Sequence, residues 1–413
     1  MSAEPEGIEL LRAVAARGGS LRLLYNADLD SISAASIILS AARRVGVRAV
    51  ARPQSLVLDL SRAKEETFDG DALVAVGLLA KGEPVLGRDF VLVEPGRYPQ
   101  REGITKWGGS ASLAAHEAFG GGSPLQMIRA IVGLYATRCY LIGDQCGEAA
   151  SKLVSAGEGV LEYTSETMMS ALRRYLPLDA SINYTLYPNL RSLLGGQEAI
   201  TDGLRRRGLC AEGCPRLEEI EGKRDAMSAL KSYASEVMPK DVAERMFSRR
   251  VSTRLESGAL SDLSDLSLLE EMVAAFEGPQ RSLVDSLSAY PGALGGVGHL
   301  VEAFKAVSRL GSRAKGSSQG SRSILVEDLQ GPALAEVFLK SSALILLEGD
   351  QLLVAKVKSL TGGSYLVAAR NRSALEGLLA EVEGLGAHAV ASGAVLRLWV
   401  PPEDERRFLS LIT

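Results

Sequence analysis

Asp28 and Asp30 stand two residues apart where an apolar run gives way to a helical pattern, in LRLLYNADLDSISAASIILSAARRVG, residues 21–46. Alternate residues of an extended backbone point the same way, so the pair could grip one hard cation together. Leu21 to Tyr25 is long enough for one buried strand. Ile32, Ala35, Ile38 and Leu39 then recur at helical spacing, with Ser31 able to cap the start and Gly46 to close the end. Both carboxylates therefore fall at the carboxyl edge of a sheet, where open α/β folds place ligands. The same spacing serves a structural use equally well, with Asp30 capping the helix and Asp28 in the turn.

A further carboxylate, Asp144, sits in LIGDQCG, which interrupts the helical pattern from Leu125 to Val154. It is either a third member of the ligand cluster or a surface Asp between two helices. Other metal-binding side chains are scarce. His116, His299 and His388 are the only histidines, and Cys139, Cys146, Cys210 and Cys214 the only cysteines. Cys210 and Cys214 have a metal-like gap, but no second cysteine or histidine pair lies near them. A structural zinc site and a disulfide framework are both unexpected on these grounds.

The elements that must position these residues follow in order. With 413 residues the chain can hold two or three domains. After the first helix, VRAVAR, SLVLDL, ALVAVGLLA and DFVLVEP are short Val/Leu-rich segments between turns, the signature of a mostly parallel sheet. GSASLAAHEAF is a small-residue helix suited to close packing. From about Leu204 to Leu310 charged helical patterns dominate and no convincing strand is present, while GSRAKGSSQGSR is Gly/Ser-rich and basic. Beyond it ALILLEG and QLLVAKVKS form a hairpin around Gly349-Asp350, followed by the strand SYLVAAR, the helix SALEGLLAEVEGLG, the strand AVLRLWV and a last helix opened by Pro401 and Pro402. The expected fold class is α/β: an N-terminal mostly parallel sheet domain over 1–200, a helical connecting region over 201–310, a linker over 311–323, and a smaller C-terminal α/β domain over 324–413.

A net charge of −4 argues against the whole chain being an electrostatic nucleic-acid binder, although arginine clusters leave room for local patches. No apolar run reaches the ~20 residues of a membrane span. The N-terminus lacks the order of a secretion signal, so a cytoplasmic protein is expected. Trp107 and Trp399 are expected as core or interface anchors.

Three separated stretches resemble the DHH phosphoesterase superfamily, especially its RecJ-like branch. Residues 26–35, NADLDSISAA, are similar to the opening His-x-Asp-x-Asp-Gly motif. LIGDQCG is similar to the Gly-Asp step whose Asp binds metal. Residues 386–394, GAHAVASGA, resemble the GGHxxAAG signature of the associated C-terminal domain, where a histidine-bearing loop faces substrate across a cleft. The resemblance also exposes departures. Asn26 stands in place of a ligand histidine, Gly77 falls where a ligand Asp is expected, and Glu94-Pro95-Gly96 takes the place of the Asp-His-His triplet.

Two-metal phosphodiester hydrolysis needs cations ~3.5–4 Å apart, held by a bridging carboxylate and several further ligands. Asp28, Asp30, Asp144 and Glu94 without histidines supply at most one weakly held Mg²⁺ or Mn²⁺, so no cofactor is expected and the three aspartates read as vestigial. The resemblance then implies a non-catalytic RecJ-like scaffold of the archaeal type that docks on the GINS complex and the MCM helicase, the setting of the RecJ-derived subunit of the CMG helicase. Single-stranded DNA is a further expected contact, through His388, Arg370, Arg372 and Tyr365. The competing expectation is an active Mn²⁺-dependent single-strand exonuclease or phosphodiesterase.

Overall fold

The apolar segments of the first 93 residues become a four-stranded sheet that is parallel throughout. The computed structural model describes residues 5–54, 56–62, 69–81, 89–93, 110–120, 122–142, 147–255, 261–315, 322–329, 331–357 and 363–412. Helix α1 (Glu6–Ala16) leads into β1 (Ser20–Tyr25), α2 (Leu29–Arg44) and β2 (Arg48–Pro53). The strands β4 (Ala72–Val76) and β6 (Asp89–Val93) complete the order β2-β1-β4-β6. A parallel pair of short strands, β3 (Val57–Asp59) and β5 (Leu79–Lys81), packs Leu58 and Ala80 against Leu24, Leu73 and Leu92 on one face. On the other face lies α2, buried almost all round because Ser33, Ala34, Ala35, Ser36, Ala41 and Ala42 let neighbours approach closely. Those neighbours are α3 (Ala111–Phe119) and α4 (Pro124–Ala136).

A helical region follows: α5 (Gly147–Ala156), α6 (Leu178–Asn183), α7 (Leu190–Leu194), α8 (Gln197–Arg206), α9 (Leu217–Ile220), α10 (Arg224–Val237), α11 (Lys240–Arg245), α12 (Leu263–Phe276), α13 (Pro279–Leu287) and α14 (Gly296–Lys315). It is not strandless. β7 (Leu161–Met168) pairs antiparallel with β8 (Phe247–Thr253), so FSRRVST, expected within a charged helix, leaves α11 at Met246 and turns to strand. Val251 and the residues after it are buried there, which β-branched side chains on a pleated surface favour over another helical turn. Nor does this region have a core of its own. Its buried residues are continuous with those of α2 and α4, and α12 packs on both helices.

The C-terminal sheet has the order β12-β13-β11-β10-β9. β9 (Ser323–Leu329) runs parallel to β10 (Leu352–Val357). β10 pairs antiparallel with β11 (Gly363–Ala369), and β13 (Val395–Val400) lies between β11 and β12 (His388–Ser392). One face packs α16 (Arg372–Glu383) and α17 (Glu405–Ile412); the other packs α15 (Pro332–Leu346). The expected hairpin at Gly349-Asp350 is therefore corrected: ALIL ends α15, an apolar helix opened by Pro332 and sandwiched between sheet and helices. Residues 311–315 of the expected linker belong instead to α14, which is helical through Lys315, and 316–321 lie outside the described residues. Cys210 and Cys214 are joined by a disulfide and Cys139 is disulfide-bonded too, against the expectation that the four cysteines form no disulfide framework. Among the described residues no helix is long and apolar enough to cross a membrane.

Candidate functional site

Asp28 caps α2. Its Oδ1 accepts from the Ser31 N–H at 3.0 Å and its Oδ2 from the Ser31 hydroxyl at 2.5 Å. The capping role thus belongs to Asp28 and not to Asp30 or Ser31. Asp30 lies in the first turn and spends both oxygens on the start of α3. It accepts from Ser110 Oγ at 2.6 Å, the Ala111 N–H at 2.8 Å and the Ser112 N–H at 3.0 Å. Burial raises the Asp30 pKa above the usual carboxylate range and the Asp28 charge adds to the rise, with the Ser110 and Ser112 hydrogen bonds opposing it. The paired spacing is real, but one carboxylate anchors a second helix.

The side chain that meets Asp28 comes from the other end of the chain. Arg397 is buried at the centre of β13, and its Nη2 lies 3.0 Å from Asp28 Oδ2, a charge contact without hydrogen-bond alignment. Arg397 Nε also donates to Glu336 Oε1 at 2.9 Å. From there the charges alternate through the interior. Glu336 pairs with Lys340 at 3.1 Å, Lys340 with Glu271 at 2.9 Å, and Glu271 with Arg138 at 2.9 Å. The Arg138 guanidinium covers the Tyr187 ring at 4.4 Å. Burial works to raise the Glu336 pKa, but Arg397 and Lys340 outweigh it and hold the carboxyl below its ordinary range. Burial opposes the charged form of Arg397 as well; Asp28 and Glu336 more than compensate, so it stays a cation.

Position 77 shows why a metal ligand has no place beside this pair. Gly77 follows β4 with φ +63°, and a Cβ there would come 1.9 Å from Ser31 Oγ, with Arg397 Nη1 at 3.6 Å. An Asp at this position would be strained by backbone and by space alike. Asn26 is buried at the end of β1, its N–H bonded to Val76 O and its Oδ1 without a hydrogen bond. Among the described residues no group of three His, Cys, Asp or Glu side chains could hold a metal ion. Asp144, Glu94 and Trp107 lie outside the described residues. The described residues at this edge do not fit a divalent cation: Asp30 has its oxygens filled by α3, and Asp28 faces a fixed guanidinium.

The expected nucleic-acid residues are dispersed. Arg370 forms a forked pair with Asp241 of α11, at 2.8 and 3.1 Å, and also donates to Leu347 O. Arg372 is exposed on α16 and pairs with Glu376 one turn on. Tyr365 is fully buried and donates its hydroxyl to Glu405 at 2.5 Å. His388 is not on a loop: it opens the edge strand β12, its ring 5.6 Å from the buried Trp399 opposite. The glycine-rich signature is instead a tight β12–β13 turn at Gly393, seated against Thr137, whose carbonyl accepts from the Ala394 N–H at 2.9 Å. Sequence reading missed Arg397, Glu336, Lys340 and Glu271. The signal was present: each is a charge inside an otherwise apolar run, in AVLRLWV, ALAEVFLKSSALIL and LLEEMVAAF.

This architecture defines an α/β protein whose parallel sheet and C-terminal mixed sheet meet at the carboxyl edge of β1 and β4. It is the fold of CDC45 from Entamoeba histolytica, matched with a TM-score of 0.64 at 11% sequence identity over 98% of this chain and 96% of that one. The chain thus has a RecJ-like DHH fold. RecJ of Thermus thermophilus in complex with Mn²⁺ is a more distant likeness, TM-score 0.47 at 12% identity, over 98% of this chain and 53% of RecJ. No protein-family model matches the chain, and no curated protein matches it.

Proposed function

We propose that the chain is a non-catalytic RecJ-like scaffold subunit of an archaeal-type replicative helicase, assembling with the GINS complex and the MCM ring and contacting single-stranded DNA. The observation that carries this reading is Arg397. The fold offers its carboxyl sheet edge for a ligand, and there a guanidinium of the C-terminal domain neutralises Asp28. A guanidinium held between Asp28 and Glu336 does not turn a bound water into hydroxide near neutral pH, the task that the metal performs in metal-assisted phosphodiester hydrolysis. What the guanidinium does supply is a rigid joint between the two sheets, a property suited to a scaffold. The similarity to CDC45 along nearly the whole of both chains supports the same reading.

Size-exclusion chromatography of the intact chain with purified archaeal GINS tests it. Co-elution at micromolar concentration is the expected result; separate elution contradicts the partner. A parallel assay with single-stranded DNA and Mn²⁺ should show no cleavage that depends on Asp28. Cleavage abolished by Asp28→Ala would establish the exonuclease instead.

A further inference from the structure

The N-terminal sheet ends at β2, which pairs with β1 on one side and with no described residue on the other. Just past the strand, the Gln54 N–H donates to Tyr25 O at 2.9 Å. The alternation of a parallel ladder then turns the backbone groups of Val50 and Arg52 toward β1, and those of Ala49 and Ala51 outward. Both alanines therefore present an N–H and a C=O to an incoming strand. The side chains alternate too: Arg48, Val50 and Arg52 are exposed on one face, with Val50 at 54%.

The surroundings of this edge are apolar and basic. Helix α13 packs on α2, reaches β2, and exposes Val284 at 53% and Leu287 at 38%. From Ser31 to Leu58 the chain has no Asp or Glu, while Arg43, Arg48 and Arg52 are all exposed. An unpaired edge selects a strand as its occupant. The charge selects which strand. A second copy related by a two-fold axis through Val50 would set Arg48 opposite Arg52, a like-charge pair that disfavours it. A phosphate backbone would use the arginines but gain nothing from Val50 or from paired N–H and C=O groups.

We propose that the β2 edge takes an extended acidic segment of a partner protein as an added strand, its backbone pairing with Ala49 and Ala51, an apolar side chain over Val50 and carboxylates against Arg48 and Arg52. This inference is independent of the state of the Asp28 site.

The probe is a short labelled peptide of the pattern Glu-Thr-Val-Thr-Glu, which sets Glu, Val and Glu on one face of a strand, with Lys-Thr-Val-Thr-Lys as its counterpart, read by fluorescence anisotropy and by amide exchange of the full chain. The acidic peptide is expected to bind and to slow exchange at Ala49 and Ala51. Ala51→Pro, which removes an outward N–H, should weaken binding about tenfold. Arg48→Glu with Arg52→Glu should transfer preference to the lysine peptide, and serves alone if Ala51→Pro fails to fold. The proposal is overturned by absence of binding at millimolar peptide, or by equal binding to a folded Ala51→Pro variant. Displacement of the peptide by a single-stranded oligonucleotide, or a dimer of the chain that Arg48→Glu abolishes, would also overturn it.

Discussion

The network around Asp262 and the one that ends on Asp28 use the same ingredients at different ranges. Asp262 is fully buried and receives Arg173 Nε at 2.6 Å, Arg250 Nη1 at 3.3 Å and the Ser264 hydroxyl at 2.8 Å. Arg250 also donates to the carbonyls of Met168 and Ser170, so the cluster fastens the β7–β8 ribbon to the start of α12. Burial pushes the Asp262 pKa up, but Arg250 and Arg173 outweigh it and hold it below the usual range. That network stays within the helical region. The other joins Asp28 to Arg138 through residues 397, 336, 340 and 271, tying together three parts of the chain. Buried charge alone therefore does not mark a functional edge; what distinguishes Asp28 is that the fold brings its partner from the opposite terminus to the carboxyl edge of the sheet, where open α/β folds place ligands.

The largest expected effect comes from breaking both networks in the same way. Arg397→Met leaves Asp28 without its buried cation and Arg250→Met takes from Asp262 one of two, and each should cost about 3–5 kcal/mol in urea unfolding. They should differ in where the structure loosens. Amide exchange should rise at β12–β13 and the start of α2 in Arg397→Met, and only around β7–β8 in Arg250→Met. Equal, global loosening in both would erase the distinction. Gly77→Asp, which restores the carboxylate the DHH resemblance expects, should cost roughly 2–4 kcal/mol from the positive φ and the Ser31 overlap. It should add no Mn²⁺ binding detectable by calorimetry.

Neighbouring residues of α12 sharpen the comparison further. Burial raises the pKa of Glu271, yet Lys340 and Arg138 reverse the shift and hold it down. Glu270 sits beside it with Ser282 as its hydrogen-bond donor, and burial together with the Asp285 charge pushes it up to about 8. The folded state thus binds the Glu270 proton more tightly than the unfolded chain. Its contribution is present at low pH and declines as pH rises from ~4.5 to about 8, by about 1.4 kcal/mol per pH unit at the steepest. Unfolding curves of Glu270→Gln across that window should lack this slope. The smallest effect is expected at the surface: Arg372→Ala should change stability by no more than about 0.5 kcal/mol. It is therefore a clean variant for measuring salt-dependent single-strand binding.

Much of the fold was legible because local rules were obeyed. The apolar run before Asp28 and the small-residue helix after it appear as read, as do β11, α16 and β13; the Val/Leu-rich runs that follow do become parallel strands, but ALVAVGLLA breaks at Gly77 into β4 and β5, which lie in different sheets. Errors fell where tertiary burial overrode local pattern. ALIL is apolar because α15 is covered on two sides, not because it is strand, and FSRRVST became strand by pairing with a partner some eighty residues earlier. The site was half legible. The Asp28/Asp30 spacing placed the edge correctly, but Arg397 lies hundreds of residues away, and only its position inside an apolar strand hinted at burial with a partner. The histidine signature misled because a tight turn and a loop facing a cleft share the same glycines.

Electron paramagnetic resonance of Mn²⁺ titrated into the wild-type chain, with Asp28→Asn as its reference, tests most directly whether a guanidinium has taken the place of a metal ion. The account predicts that the free Mn²⁺ signal is the same for both proteins at every concentration. A stoichiometric Mn²⁺ bound by the wild type and lost in Asp28→Asn would contradict it.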